Sequence, residues 1–322
     1  MNDLRKFLAT VTVVFCASAT PAFADSGTVF DGSGAVTAGY NVINNGSYSY
    51  TNSNGSNFSG TEDGKVSGLE VNLRASVSIP LSSTFGAQLD GNLSRTVYKP
   101  DANLCSDCAA TIASESVMTS HVFWRKSGKG LVGLVGQRTT QNTNFGTGQS
   151  TYYVGAEGQI YAGKATLYGQ VTYAANDQYG SDGTTGVNAA VQVRFFPTDN
   201  LKFTLKGGYE KLNQSYVDSF GNDRSFGNNY KTWLVGGSAE YRLKHSRFSL
   251  VADVDYRDLK QENYFRSGNF SENSDSGFSG FRAMVGFKVT FGTASLIERD
   301  RSGASLDPVT SLLSEQASNR GV

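Results

Sequence analysis

The sequence predicts an all-β protein: a single transmembrane antiparallel β-barrel of about twelve strands, with long extracellular loops and short periplasmic turns. Three observations carry this prediction: a secretory leader, strands with one apolar and one polar face, and connections of two lengths. The clearest strand reads LEVNLRASVSIPL from Leu69. Successive side chains of a strand point to opposite faces, so Leu69 and Val71 share one face and Glu70 and Asn72 the other. Such strands suit a barrel with lipid outside and water inside.

The first 24 residues have the pattern of a cleaved signal peptide. They begin with basic Arg5 and Lys6, continue with an apolar run, and end on Ala-Phe-Ala at 22–24. The run is too short to cross a bilayer as a helix. We therefore expect cleavage after residue 24, with Asp25 as the mature N-terminus.

Composition agrees with a membrane barrel. Aromatic residues make up 12% of the chain and charged residues only 17%, whereas soluble domains carry about a quarter charged residues. The formal net charge is zero, which disfavours nucleic acid as a partner. No internal repeat or linker divides the chain, so residues 25–292 are predicted to form one barrel domain.

Twelve segments have the alternation of strands, and most reach the length that crosses a bilayer with tilt. They occupy residues 34–42, 66–80, 84–98, 117–126, 130–138, 151–163, 164–175, 186–196, 201–212, 230–243, 247–260 and 279–292. A soluble β-sandwich also alternates, but its strands average about five or six residues.

The connections alternate between a few residues and long polar stretches. The long ones cover residues 43–65, 99–116, 139–150, 176–185, 213–229 and 261–278. Short turns at one rim and long loops at the other are typical of bacterial outer-membrane barrels. An even strand number places both ends of the barrel at the periplasmic rim.

From its leader to Phe291 the chain resembles bacterial outer-membrane β-barrel proteins of the porin-like kind. The last strand, FRAMVGFKVTF, carries Gly286, Val289 and Phe291 where such proteins have the signal that the outer-membrane assembly machinery reads, although Met284 departs from it. The resemblance implies a place in the outer membrane of a bacterial cell, in contact with its lipid, and the assembly machinery as a partner.

The chain continues past the last strand, unlike barrels that end on a terminal aromatic. Residues 293–322 are predicted to be a periplasmic C-terminal tail that either frays or has a function, by folding into the lumen or by docking on a periplasmic partner. If it folds inward, its charges are expected to pair with Asp253, Asp255 or Arg282, and Leu312 and Leu313 to anchor a short helix.

Alternation places a set of charged side chains inside the barrel. The predicted pore-lining residues are Arg74, Asp90, Glu157, Arg194, Lys202, Lys206, Asp253, Asp255, Arg257, Arg282 and Lys288. Charges on a low-dielectric wall bias the ions that pass. Because acids accompany the bases, we expect at most a weak preference for anions.

The two histidines lack the neighbours that a hydrolytic site requires. A barrel lipid hydrolase needs a nucleophilic Ser beside a His, but two residues after His121 stands Phe123, and after His245 stands Arg247. The sequence therefore predicts no catalytic residues, no cofactor and no metal.

Aromatic residues near strand ends are expected at the lipid headgroups: Trp124, Tyr152, Phe195, Tyr209, Trp233, Tyr241 and Phe248.

Two cysteines, Cys105 and Cys108, lie in the second long connection. Outside the inner membrane such a pair most simply forms a disulfide. Free or redox-active thiols and a metal site remain alternatives, with His121 as the one further ligand close in sequence.

The predicted function is an outer-membrane channel for passive diffusion of small polar solutes or ions. A non-transporting surface or structural barrel, whose extracellular loops bind a partner, is the alternative from another class. A barrel hydrolase comes third.

Overall fold

A computed structural model describes residues 31–61, 65–100, 111–143, 146–176, 184–217, 224–244, 246–267, 270–292, 295–302 and 305–310. The strands are β1 (Asp31–Asn52), β2 (Asn57–Thr61), β3 (Lys65–Pro80), β4 (Phe85–Pro100), β5 (Thr111–Lys126), β6 (Gly130–Thr143), β7 (Gly146–Ala162), β8 (Ala165–Asn176), β9 (Thr184–Thr198), β10 (Leu201–Val217), β11 (Arg224–Arg242), β12 (Phe248–Ser267) and β13 (Phe270–Phe291). One helix follows, α1 (Leu296–Ser302). Among the described residues, no helix has the length and apolar character needed to cross a bilayer.

Twelve long strands form a closed antiparallel barrel. Each strand pairs with its neighbours in sequence, except that β2 is a short addition to the end of β1, and β3 pairs directly with β1. Pairing of β1 with β13, in a register that sets Gly32 opposite Phe291, closes the ring. The predicted fold class and strand number are confirmed.

One rim, which we call the short-turn rim, carries connections of only a few residues. Gly128 and Gly163 lie in two of these turns with φ values of 70° and 54°, a left-handed conformation that glycine adopts without a Cβ clash. The barrel begins and ends here, at Asp31 and Phe291. His245, which the sequence placed in another of these turns, lies outside the described residues.

The outer face of the barrel is apolar and exposed. Leu134, Val154 and Leu205 have 66%, 64% and 70% of their surface exposed, while side chains at alternate positions of the same strands, such as Val135 and Tyr153, are buried. Single exposed apolar residues are ordinary, but a continuous apolar surface marks contact with a partner or with lipid. This surface encircles the barrel and is the lipid-facing band.

Exposed aromatic rings lie at two heights on this face. Near the short-turn rim the exposed rings are Phe85, Trp124, Phe195, Tyr241 and Phe248. Tyr152 and Trp233 are also exposed, and Tyr152 precedes the end of β7 by ten residues. At the rise and tilt of barrel strands, ten residues span about 25 Å of the axis, the height of an apolar band between its aromatic girdles.

The strands run much farther than predicted at the rim opposite the short turns. Residues 261–278 were predicted to be a long connection, yet β12 continues to Ser267 and β13 begins at Phe270, with Gln261 paired to Ser276. Beyond the aromatic rings that lie farther from the short-turn rim, the outer face meets water. Apolar residues at alternate positions are therefore no longer required there. Alternation in the sequence therefore marks the lipid-facing band rather than the whole strand.

Candidate functional site: a lumen occupied by the C-terminal tail

The barrel encloses a cavity of about 350 Å³ that is lined by both polar and apolar side chains. At the short-turn rim its lining includes Leu296 and Arg299 of α1, and at the other end it includes Tyr98 and Asn142, close to the far ends of β4 and β6. The cavity therefore follows most of the length of the barrel.

The charged residues predicted to face inward lie in the lumen. Those that line the cavity are Arg74, Asp90, Arg194, Lys202, Lys206, Asp253, Arg257, Arg282 and Lys288. Glu157 and Asp255, the other two, are buried beside it and hydrogen-bonded to lumen side chains. Cys105 and Cys108 lie outside the described residues, so their pairing stays a prediction.

The C-terminal tail turns back across the short-turn rim after Phe291. The Ser295 hydroxyl accepts a hydrogen bond from the Glu298 N–H at 3.1 Å, as an N-cap does. The Leu296 N–H donates to the Asp199 carbonyl at 2.9 Å, and buried Arg299 pairs with Asp31 at 3.1 Å. These contacts fix α1 against the strand ends.

Residues 305–310 then run up inside the lumen. Five side-chain amides from neighbouring strands contact their backbone, and we call this set the amide wall: Gln88 on β4, Gln137 on β6, Gln159 on β7, Gln170 on β8 and Asn188 on β9. Of the options predicted for the tail, the described part takes the inward one. It does not extend from the barrel as a frayed periplasmic end.

Two apolar side chains of this segment fill pockets between the amides. Leu306 packs with Phe123, Leu131 and Tyr168. Val309 lies in a second cluster, whose other members are Val135, Tyr153, Ala174, Leu212 and Tyr230. Both tail side chains are 3% exposed, so the lumen holds them as a protein core would.

Arg194 is the strongest single anchor of the tail. Its guanidinium donates to the Asp300 carboxylate, to the Ser305 carbonyl and to the Asp307 carboxylate, each at 2.7 Å. Burial alone raises the pKa of Asp307, but the facing Arg194 charge lowers this pKa below its usual range. The predicted partners Asp253, Asp255 and Arg282 were wrong for the described part of the tail: they pair among themselves, whereas Asp300 and Asp307 pair with Arg194.

Near the docked tail lies His121, whose partners in the lumen the sequence did not predict. His121 is 1% exposed, with Nδ1 2.8 Å from Glu157 and Nε2 3.1 Å from Asp90. The Tyr168 hydroxyl donates to Glu157 at 2.9 Å. Alternation could have placed His121 inward, but its partners come from β4 and β7, which only the barrel register brings together. Among the described residues no group of His, Cys, Asp and Glu is arranged to hold a metal ion.

The opposite side of the lumen is held by salt bridges. We call it the ion-pair wall: Lys202, Lys206, Glu240, Asp253, Asp255, Arg257, Arg282 and Lys288, on β10 to β13. Lys206 contacts Asp253 at 2.8 Å, and Arg282 donates to Asp255 through Nε at 3.0 Å. Glu240 accepts from both Lys202 and Lys288, at 2.7 and 3.0 Å. Most fixed charges here cancel within the wall.

A closed barrel of twelve tilted strands, with an apolar outer band, aromatic girdles and a polar lumen, is an outer-membrane β-barrel of the bacterial type. No protein-family model matches the sequence, and no curated protein matches it.

Solved structures with a similar fold include bacterial outer-membrane proteins of low sequence identity. The COG4313 outer membrane channel from Pseudomonas putida F1 is 15% identical, with a TM-score of 0.49, over 84% of this chain and 99% of that one. A FadL homologue from Pseudomonas aeruginosa is 9% identical, with a TM-score of 0.40, over 82% and 90%. The outer membrane protease OmpT from Escherichia coli is 9% identical, with a TM-score of 0.35, over 85% and 100%.

Proposed function

We propose that this protein is an outer-membrane channel through which small polar solutes or ions diffuse passively. The observation that carries the proposal is the cavity between the tail and the ion-pair wall. It follows most of the barrel and is lined by charged side chains from both ends of the strands. The tail narrows this path, so passage is slow while the tail is docked.

Selectivity is proposed to be weak and to favour anions. The ion-pair wall neutralises most of its own charge. Arg74 differs: it lines the cavity with an exposed side chain, and among the described residues no carboxylate lies within ion-pair distance of it. A single uncompensated cation beside a narrow path raises the local concentration of anions.

The surroundings of His121 speak against hydrolysis. Both ring nitrogens face carboxylates, so neither is available to take a proton from a serine, as a hydrolytic triad requires. Its partner Asp90 is in turn held by Gln88, which also donates to the Leu306 carbonyl of the docked tail.

A non-transporting barrel that binds a partner at the cell surface is the second candidate. The observation that favours it is the height of the strands above the lipid-facing band. There Phe58 of β2 is 65% exposed and stacks on Tyr48 with ring centroids 6.3 Å apart. An exposed aromatic surface of this kind is typical of interaction sites.

Conductance of the purified protein in planar bilayers tests the channel. The full chain should give discrete steps, and Ala35→Trp should lower them because Ala35 lines the cavity. Val36→Trp is the matched control: it is the next residue on β1 and faces lipid, so its conductance should equal that of the unmodified protein. If neither the full chain nor a chain without the tail gives conductance steps, the surface-binding role is the candidate that remains. Equal conductance of the two Trp variants would remove this cavity from the path.

A further inference from the structure

The amide wall contacts the backbone of the tail rather than its side chains. Gln88 both donates to the Leu306 carbonyl at 2.7 Å and accepts from the Leu306 N–H at 3.1 Å. Gln137 donates to the Val309 carbonyl at 2.9 Å, and Asn188 to the Thr310 carbonyl at 3.0 Å. Gln159 and Gln170 reach the carbonyls of residues 305 and 307. Such contacts serve any extended peptide, because every residue has this backbone.

Side-chain pockets add a pattern to this backbone recognition. Leu306 and Val309 each enter an apolar cluster, and Arg194 binds the carboxylate of Asp307. Pro308 lies between them, where its ring fixes one backbone angle and lowers the entropy lost on binding. The barrel therefore recognises an aliphatic, an acidic and a second aliphatic side chain in order, and proline before the last of them restricts the backbone.

The segment can leave without breaking the sheet. Among the described residues, no backbone-to-backbone hydrogen bond joins 305–310 to a strand. All six of its residues also line the cavity. A ligand held only by side chains, beside an open space, can be exchanged for another of the same shape.

We propose that the amide wall and Arg194 form a peptide-binding site, of which residues 305–310 are the resident ligand. Once the tail is withdrawn, the site takes free linear peptides with the same aliphatic–acidic–proline–aliphatic pattern. This site goes beyond passive diffusion of small solutes, and it needs only that the lumen can be reached from solution.

The test uses the full chain with a protease site inserted after Gly292, so that the barrel assembles before the tail is cut. After cutting and washing, a fluorescent peptide of residues 303–312, GASLDPVTSL, is added and its anisotropy measured. The cut protein should bind the peptide saturably, and the uncut protein should not. If the cut tail stays bound through washing, labelled peptide in excess should exchange with it.

Sequence-dependent controls separate a site from general adhesion. A peptide with Asp307→Asn should bind at least about tenfold more weakly, because it loses a charge-assisted hydrogen bond to Arg194. A barrel with Arg194→Gln should bind the original peptide with a similar loss, and a scrambled peptide should not bind. Equal binding of the original and scrambled peptides would overturn the proposal, as would neither binding nor exchange at about 1 mM peptide.

Binding is measured without ion flow, so the two proposals can fail separately. Peptide binding by a barrel that never conducts would refute only the channel. Conductance by a cut barrel that binds no peptide would refute only the peptide site.

Discussion

The two sides of the lumen are both polar, but they satisfy their polar groups in different ways. On the ion-pair wall, charges neutralise one another across β10 to β13, as Lys206 and Asp253 do at 2.8 Å. On the amide wall, neutral side chains bond to side chains of the strands and also to the backbone of the tail, as Gln88 does with Asp90 and with Leu306. Because the charges of the ion-pair wall pair with one another, the space beside that wall is left for water. The amides of the other wall bind a polypeptide.

The largest effect on docking of the tail is expected for Arg194→Gln, on the side of the lumen that contacts the tail. The change leaves buried Asp300 without its cation, and breaking a buried pair costs about 3–5 kcal/mol. The tail should detach, so protease should cleave it in the assembled barrel and conductance should rise. Arg257→Gln is the matched control, because Arg257 pairs with Asp255 on the ion-pair wall. Equal protease resistance of the two variants would contradict the division between the walls.

A charge change on the ion-pair wall should alter selectivity and leave the tail in place. Lys206→Gln removes the cation that contacts both Asp253 and Asp255, so the reversal potential in a salt gradient should move towards cations by several millivolts or more. Lys231→Gln removes a lysine of the surface pair with Glu262 and should change nothing, since exposed pairs contribute little. A shift of equal size in both variants would place Lys206 outside the conduction path.

Single amides should matter less than Arg194. Gln137→Leu removes the hydrogen bond to the Val309 carbonyl, worth about 0.5–1.5 kcal/mol. Hydrogen exchange at the tail amides should quicken by a factor of about 2–10, consistent with that range. Gln261→Leu loses a bond to Asn263, outside the tail contacts, and should leave tail exchange unchanged. No quickening in Gln137→Leu would mean that this contact adds nothing to docking.

The smallest effect is the response to acid. Because Arg194 lowers the pKa of Asp307 in the docked state, this contact stabilises docking above the ordinary Asp pKa of about 3.9 and is lost as the pH falls through the lower, docked value. Tail protection from hydrogen exchange should therefore be constant from about pH 7 to 5 and fall only below about pH 4. The Asp307→Asn variant should lack this part of the acid response. A loss of protection near pH 6 would point to another group.

The sequence was sufficient for the barrel because lipid and water impose a period of two on every strand. Leu69 is 59% exposed on the outer face, and its neighbour Glu70 is 5% exposed in the lumen. The period of two misplaced the strand ends opposite the short-turn rim. There the pairing of β12 with β13 continues although neither face of the strands meets lipid. Alternation of apolar and polar residues shows that one face of a strand contacts lipid, and it stops where the strand leaves the membrane.

The occupant of the lumen could not be derived in this way. Asp300 and Asp307 contact Arg194 across 106 and 113 residues of sequence, and the pairing depends on the register of the four intervening strands, β10 to β13. Alternation gave Arg194 its inward direction but no partner. The glutamines of the amide wall had no signal at all, since a neutral polar residue on an inner face is ordinary in any barrel.

The pairing of Arg299 with Asp31 joins a residue that follows the last strand to the first residue of the first strand. The pair spans the junction at which β1 and β13 close the ring, so ring closure and docking of the tail stabilise each other. We expect the tail to dock after the ring has closed, so that a newly inserted barrel has a vacant interior for a time. Docking of the tail would then be a separate kinetic step, and its rate would set how long a newly made barrel differs from a finished one.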